Sequence, residues 1–281
     1  MPVNTDNSVS QLLAPAITPL LITYNEAQNI GRVLDKLHWA KRIVVIDSGS
    51  TDETAQIVSQ YPQAEIIVHP FKSFADQCNF GLSKIRSEWV LSLDADYILS
   101  DELVEELNVL KDDGAAGYAA DFVYCVYGRQ LRGTLYPPRT VLYRTHLAKY
   151  ENHGHSHKVS VSSPLCRLRG KILHDDWKPM SRWFLSQQGY AKKEADYLLA
   201  SNPAHLSRND RIRLLCWPAP VLVALYVLFA KGCILDGWPG WFYMLQRLLA
   251  ETMLSLELIN RRLYRSAPDA SGSVRSIESL S

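Results

Sequence analysis

The chain has no CxxC pair, no excess of either charge, no internal repeat, and no apolar run of about 20 residues, the length a spanning helix needs. Its five cysteines (Cys78, Cys125, Cys166, Cys216 and Cys233) are odd in number and scattered, which excludes a disulfide framework or a zinc ribbon and fits a reducing cytosol. Lys and Arg number 30 against 29 Asp and Glu, so no global field points to nucleic acid, and any anionic ligand must be recognised locally. The opening "MPVNTDNSVSQLLAPA" lacks a basic n-region and a continuous apolar h-region, so it reads as a loose leader over residues 1–16 rather than a secretory signal. Residues 266–281, rich in Ser and small side chains, read as a disordered tail.

What remains is ordinary globular material, 47% hydrophobic and 21% charged over 281 residues, enough for one large domain with an appendage. From Leu20 to Leu110 short apolar runs alternate with helix-like segments, the pattern of a parallel sheet covered by crossover helices. The runs are "LLIT", "RIVVID", "AEIIV" and "WVLSLD"; helices are expected over Ala27 to Leu37, Thr51 to Gln60 and Phe74 to Ile85. Pro19 predicts that the first strand starts after it. Ser50 with Glu53 three residues on predicts a capping box for the second helix. Beyond Gly114, "YAADFVYCVY", "RTVLYR", "HKVSV" and "RLRGKIL" predict an antiparallel or mixed extension, and Pro179 to Ala200 a helix. "LLCWPAPVLVALYVLFA" (Leu214 to Ala230) is uncharged for 17 residues but broken by Pro218 and Pro220, so a re-entrant or interfacial segment is expected rather than a clean span. An amphipathic helix follows, with Trp238, Trp241 and Tyr243 at one end and Arg261, Arg262 and Arg265 at the other.

Asp94 and Asp96, in "LSLDADYIL", stand one residue apart at a predicted strand end, where ligands of open α/β sheets gather. Such a pair can share a hard divalent cation with phosphate oxygens, or merely shape a turn. Asp47 holds the equivalent place on an earlier strand, as ligand contact or as turn former before Gly49. Asn25 is a candidate helix cap as well as a binding residue, and Gln77 and Asn79 can equally be a polar helix face. "TYNEAQNI", "VIDSGSTDET", "FADQCNFGL" and "LDADYIL" occur in the order and spacing of family 2 glycosyltransferases, which the chain resembles over about Ile17 to Leu110. The resemblance implies a GT-A fold, an α/β nucleotide-diphospho-sugar transferase. It places Thr23, Asn25 and Glu26 along the nucleotide, with Gln77 and Asn79 nearby, and Asp47 on the base, usually uracil. It sets Asp94 against the ribose or a metal-bound water, and Asp96 as ligand to Mg²⁺ or Mn²⁺. Cys78 departs from the family pattern, where an Arg commonly precedes the Asn that is Asn79 here.

"RLRGKILHDDWKPMSRW", "SQQGYAKKEA" and "KGCILDGWPGW" resemble the branch containing the lipopolysaccharide-core β1,4-glucosyltransferases, which acts at the cytoplasmic face of the inner membrane. That branch has His-Glu where this chain has His157-Lys158; His157 is thereby implied to approach the diphosphate or the metal. An inverting transfer needs a carboxylate to take the acceptor's proton, and Asp175 and Asp176 are the tight acidic pair downstream. Their plainer role is to favour the positive end of the helix opened by Pro179. "HGHSH" (His153, His155, His157) has the composition of a metal cluster without completing a zinc pattern. Arg139 and Arg144 can neutralise phosphate or face solvent, and Trp183, Gln187 and Tyr190 can form a sugar-stacking wall or a core face.

The sequence therefore predicts a catalytic domain over 17–202, with a nucleotide-sugar half (17–113) and an acceptor half (114–202), and a membrane-associating helical extension over 203–265. The expected partners are a UDP-sugar donor, a glycan or lipid-linked acceptor and the inner-membrane surface, with no nucleic acid. A polyprenyl-phosphate transferase and a catalytically silent nucleotide-sugar scaffold are the competing readings.

Overall fold

A computed structural model describes residues 12–153, 156–161 and 164–266. Four apolar runs form parallel strands, β1 (Ile17–Thr23), β2 (Ile43–Asp47), β3 (Ala64–Val68) and β4 (Trp89–Asp94), in the spatial order β3-β2-β1-β4. Alternate residues feed opposite cores. Leu21, Val45 and Leu91 join one with Ile30, Val33 and Leu34 of α1 (Ile30–Asp35) and Val58 of α2 (Thr54–Val58). Leu20, Val44, Ile46 and Val90 join the other with Ala75, Cys78 and Leu82 of α3 (Phe74–Ser83). Burial on both faces is why β1, β2 and β4 read as continuous apolar runs, whereas β3 at the edge is only half-buried.

Two local expectations fail for identifiable reasons. β1 includes Pro19, which lies opposite Leu91, because pairing with β2 begins only at Leu20 and the ladder on that side starts after the proline. Ser50 does not cap α2. Its hydroxyl is bonded to Asp47, Glu53 occupies the N-cap position without a side-chain bond, and Asp52 instead accepts from Thr54 N. The chain also joins the fold earlier than β1: Leu13, within the stretch read as a leader, is buried and its N–H donates to Leu110 O. Residues 1–11 and 267–281 lie outside the described residues.

Beyond β4 the sheet becomes mixed and turns back on itself. Only Ala95 and Asp96 separate β4 from β5 (Tyr97–Leu99), yet β5 pairs at the far edge with β11 (Leu165–His174). Between them lie β8 (Arg139–Arg144), antiparallel to β4, and β6 (Gly117–Val126), antiparallel to β8 and parallel to β11. β7 (Arg129–Gln130) forms a hairpin with β6, while β9 (Lys149–His153) and β10 (Ser156–Ser160) pair separately. α4 (Asp101–Val109) packs on β11 at Gly170, where an added Cβ would lie 2.3 Å from Leu103 Cα.

The C-terminal part is helical: α5 (Met180–Ala200), α6 (Arg208–Leu214), α7 (Pro218–Leu225) and α8 (Trp238–Ser266). Arg213 of α6 ties α5 to α8 through Glu194 and Glu251, at 3.2 and 2.5 Å. Ala195 and Leu198 pack with Leu254 and Leu258 in the same seam. The uncharged segment 214–230 is broken by Cys216 at φ 67° and by Pro218, and it ends in a π-helical turn at Tyr226–Ala230. Among the described residues no helix is long and apolar enough to cross a membrane.

Candidate active site

The carboxyl ends of β2, β1 and β4 set Asp47, Thr23 and Asp94 almost in line, since Asp47 pairs with Thr23 and Asp94 with Ile22. Asp47 is buried, and its carboxylate accepts from Gly49 N, Ser50 N and the Ser50 hydroxyl, at 3.1, 2.8 and 2.5 Å. Gly49, at φ 88°, lets the turn fold back that tightly. Thr23 Oγ1 is buried without a partner. Asn25, at φ 54°, does not cap α1: its Oδ1 accepts from Thr51 N at 2.7 Å, and its carbonyl accepts from Arg182.

A lysine that sequence reasoning did not single out lies at the centre. Lys178 Nζ is 2.9 Å from Glu26 Oε1 and 3.3 Å from both Asp96 Oδ2 and Asp176 Oδ2. His174 Nε2 approaches Asp96 Oδ2 at 3.5 Å, and its Nδ1 is buried and unpartnered. Burial raises the Asp96 carboxyl, but Lys178 and His174 outweigh it and hold the group well below the usual carboxylate range. Burial likewise opposes the charge on Lys178, and Asp96, Glu26 and Asp176 overcome it and push the ammonium above the usual lysine range. Burial lifts Glu26 to about 7, with Asp96 adding to the rise and Lys178 and Asn29 opposing it.

The neighbouring acids divide in role. Asp175 is buried; its Oδ2 accepts from Arg32 Nη1 at 2.6 Å and Trp177 Nε1 at 2.9 Å, and its Oδ1 accepts from Gly128 N at 3.1 Å. All three of these donors belong to the fold itself. Asp176 is half-buried, bonded to Asn29 Nδ2 and Lys178 N, and faces a narrow cleft lined also by Tyr124, Trp183, Phe242 and Gln246.

Other expected site residues lie elsewhere or serve the fold. Asn79 grips the backbone of Tyr150 with both amide atoms at 3.0 Å, and Gln77 donates to His69 O while its Oε1 is buried and unpartnered. Cys78 is part of the apolar core against β1 and β2. Arg144 pairs with Glu88 and Asp112 on the Trp89 ring, so it is a structural cation. Arg139 lies over the Tyr136 ring, and although burial opposes its charge, nearby Tyr97, Tyr136 and Asp94 hold it above its ordinary range. The side chains of His153 and His157 and the whole of His155 lie outside the described residues.

The Asp94–Asp96 pair has the hard oxygen chemistry that suits Mg²⁺ or Mn²⁺ together with phosphate. Asp94 is half-buried and carries no ion pair among the described residues, whereas Asp96 already has Lys178 as its counter-charge. No group of three or more His, Cys, Asp or Glu side chains converges as a metal cluster among the described residues. The donor set thus fits an ion that takes few protein ligands, with Lys178 as its competitor.

A family model described as glycosyl transferase family 2 matches residues 20–169, more than half of the chain. The chain belongs to glycosyl transferase family 2. Together with the strand order above, membership makes the fold GT-A, with a C-terminal helical extension. The lipopolysaccharide core biosynthesis glycosyltransferase LpsC of Rhizobium meliloti is 24% identical over 270 residues, covering 90% of this chain and 95% of LpsC. An uncharacterized glycosyltransferase of Rickettsia bellii is 34% identical over 103 residues, 36% of this chain and 35% of the relative, so that match spans about a third of its length. Among solved structures, mannosyltransferase PcManGT of Pyrobaculum calidifontis, in complex with GDP-Man and Mn²⁺, matches at 13% identity and TM-score 0.49 over 90% of this chain and 88% of that one. S. aureus TarS in complex with UDP-GlcNAc matches at 16% identity and TM-score 0.47, covering 89% and 91%. The family model ends before His174, Asp176 and Lys178, which form the ion-pair cluster around Asp96.

Proposed function

We propose that this family 2 transferase moves a hexose from a nucleotide-diphospho-sugar, most simply a UDP-sugar, to a hydroxyl of a glycan or lipid-linked acceptor in envelope polysaccharide or lipopolysaccharide synthesis, inverting the anomeric carbon. The observation that carries this is the placement of Asp176 at the mouth of a cleft, tied through Lys178 to Asp96 at the end of the parallel strands. On this reading Thr23, Asn25, Glu26 and Asp47 line the nucleotide, with the orphaned Thr23 hydroxyl offered to it. Asp176 takes the proton as the acceptor oxygen attacks the anomeric carbon; the bond from that carbon to the diphosphate oxygen breaks, and the nucleoside diphosphate leaves. Asp175 positions rather than reacts. Asp94 and Asp96 would hold Mg²⁺ or Mn²⁺, which when bound supplies positive charge to the leaving diphosphate. Lys178, which pairs with Asp96 in the ligand-free fold, would compete with such an ion, and Arg139 adds positive charge on the Asp94 side.

Exposed apolar side chains on the extension support a membrane-surface location: Trp217, Phe229, Leu235 and Trp238 are 79, 63, 70 and 85% exposed.

A panel of UDP- and GDP-sugars incubated with the protein and envelope extract, followed by product analysis, tests the reading. Transfer of one hexose with inverted configuration is expected. Nucleotide binding without turnover across all donors would leave only a scaffold, and activity that tolerates Asp176→Asn would indicate an acceptor that is already ionised, such as a polyprenyl phosphate.

A further inference from the structure

The hairpin between β6 and β7 turns on Tyr127 and Gly128, at φ 48° and 80°. A two-residue turn of this kind favours Asn-Gly, because the left-handed conformation is unfavourable for a residue as bulky as tyrosine. Tyr127 is also 60% exposed, so its ring gains little from burial. Strain at an exposed aromatic residue calls for another reason to keep it.

The surroundings supply one. Asp175 accepts from Gly128 N in the turn and from the Trp177 indole N–H, so one buried carboxylate fixes both ring-bearing segments. The Tyr127 ring lies 6.4 Å from Trp177 and 6.4 Å from Phe242 of α8, inclined at 47° and 48°. Tyr127 and Phe242 line the cleft that Asp176 faces, while Trp177 stands beside Tyr127 with Arg32 over one face of its ring at 4.0 Å. Inside, Gln246 is only 7% exposed, its Oε1 has no hydrogen-bond partner, and its Nε2 reaches only the weak acceptor Met180 Sδ at 3.9 Å. A buried amide oxygen without a donor is costly and is suited to an incoming O–H. The cavity is about 20 Å³, room for a hydroxyl or a water but not for a sugar ring.

The geometry points to an acceptor subsite: a pyranose ring of the acceptor lies with its C–H face on Tyr127 and Phe242, and sends one hydroxyl into the cleft between Gln246 Oε1 and Asp176. A pyranose has both an apolar face and a hydroxyl rim, which matches an aromatic corner backed by an amide acceptor and a carboxylate. α8, far outside the span of the family model, then supplies two of the contacts. The inference rests on the glycosyl-transfer reading, and it adds the chemical class of the acceptor's terminal unit.

Saturation-transfer NMR on the full chain, with methyl gluco-, galacto-, manno- and heptopyranosides as probes and no donor present, tests it. At least one pyranoside should receive saturation, strongest at its ring C–H protons. Tyr127→Asn, whose side chain suits the turn, should melt no lower than the parent and weaken that pyranoside about tenfold, the loss of one stacking contact. Gln246→Leu should weaken it as well, and UDP affinity by calorimetry should be unchanged in both variants. No saturation of any pyranoside, equal saturation in the variants, or a lower melting temperature for Tyr127→Asn would overturn the subsite. Absent UDP binding in the parent would instead defeat the donor half of the transferase reading.

Discussion

Lys178 changes what the acidic residues of the site can be. The family resemblance sets Asp96 as the metal ligand and Asp94 on the ribose or a metal-bound water, but in the fold Asp96 is neutralised by an ammonium that also holds Glu26 and Asp176. Lys178→Met should therefore free Asp96, and Mn²⁺ should bind the ligand-free variant more tightly than the parent, by about tenfold or more if one full counter-charge is removed. Titration followed by electron paramagnetic resonance reads this directly, and unchanged affinity would mean that Asp96 is not a ligand. Glu26 gives a pH signature. Its folded value of about 7 lies above the ordinary 4.5, so its contribution to stability is full below the ordinary value and is lost as pH rises through 7. Asp96, held below its usual range, and Lys178, held above its own, stay charged across that window, and the other groups around Glu26 are Asn29 and the Arg182 guanidinium at 3.8 Å. Calorimetric melting of the ligand-free protein should fall between about pH 5 and 7, and Glu26→Gln should flatten that fall. Parallel profiles would contradict the assignment.

Strands and helices were legible where burial on both faces wrote continuous apolar runs, as in β2 and β4, and where period and punctuation agreed, as at Pro179 before α5. Elements failed to show where a partner distant in sequence decided the outcome. Pro19 enters β1 because β2 starts late beside it, and the Ser50 hydroxyl is drawn from its helix as the acceptor for Asn25 N while it donates to Asp47. The same holds for the site. Asp94, Asp96 and Asp176 could be named from local motifs, whereas Lys178, His174 and Arg32 become visible only when β11 brings 174–178 against α1 and the β4–β5 turn. "HDDWK" was itself the available signal, since a His and a Lys flank the paired acids. The Asp175 segment gives the test at this scale. Asp175→Ala leaves Arg32 Nη1, the Trp177 indole and Gly128 N without their acceptor and should cost about 3–5 kcal/mol in urea denaturation, the range for breaking a buried pair. A change within experimental scatter would show that the segment is held by something else.

The whole molecule combines a parallel-stranded half with a helical part that carries an exposed apolar surface. Cell-envelope acceptors are amphiphilic, so a surface of this kind suits a catalyst that works at the lipid boundary. Full-length protein should co-sediment with liposomes of mixed zwitterionic and anionic lipid, and replacing Trp217 and Trp238 together by Ser should reduce the bound fraction several-fold without lowering the melting temperature, since both are almost fully exposed. Equal recovery in the supernatant with and without liposomes would remove the membrane from the account. The central claim, that Asp176 activates the acceptor for attack on a nucleotide sugar, is tested most directly by single-turnover transfer from the preferred UDP-sugar to its acceptor, comparing parent and Asp176→Asn with UDP affinity measured on both. The prediction is a loss of about 100-fold or more in the transfer rate, the usual worth of a general base, with UDP binding retained. A variant that transfers at the parental rate would contradict it.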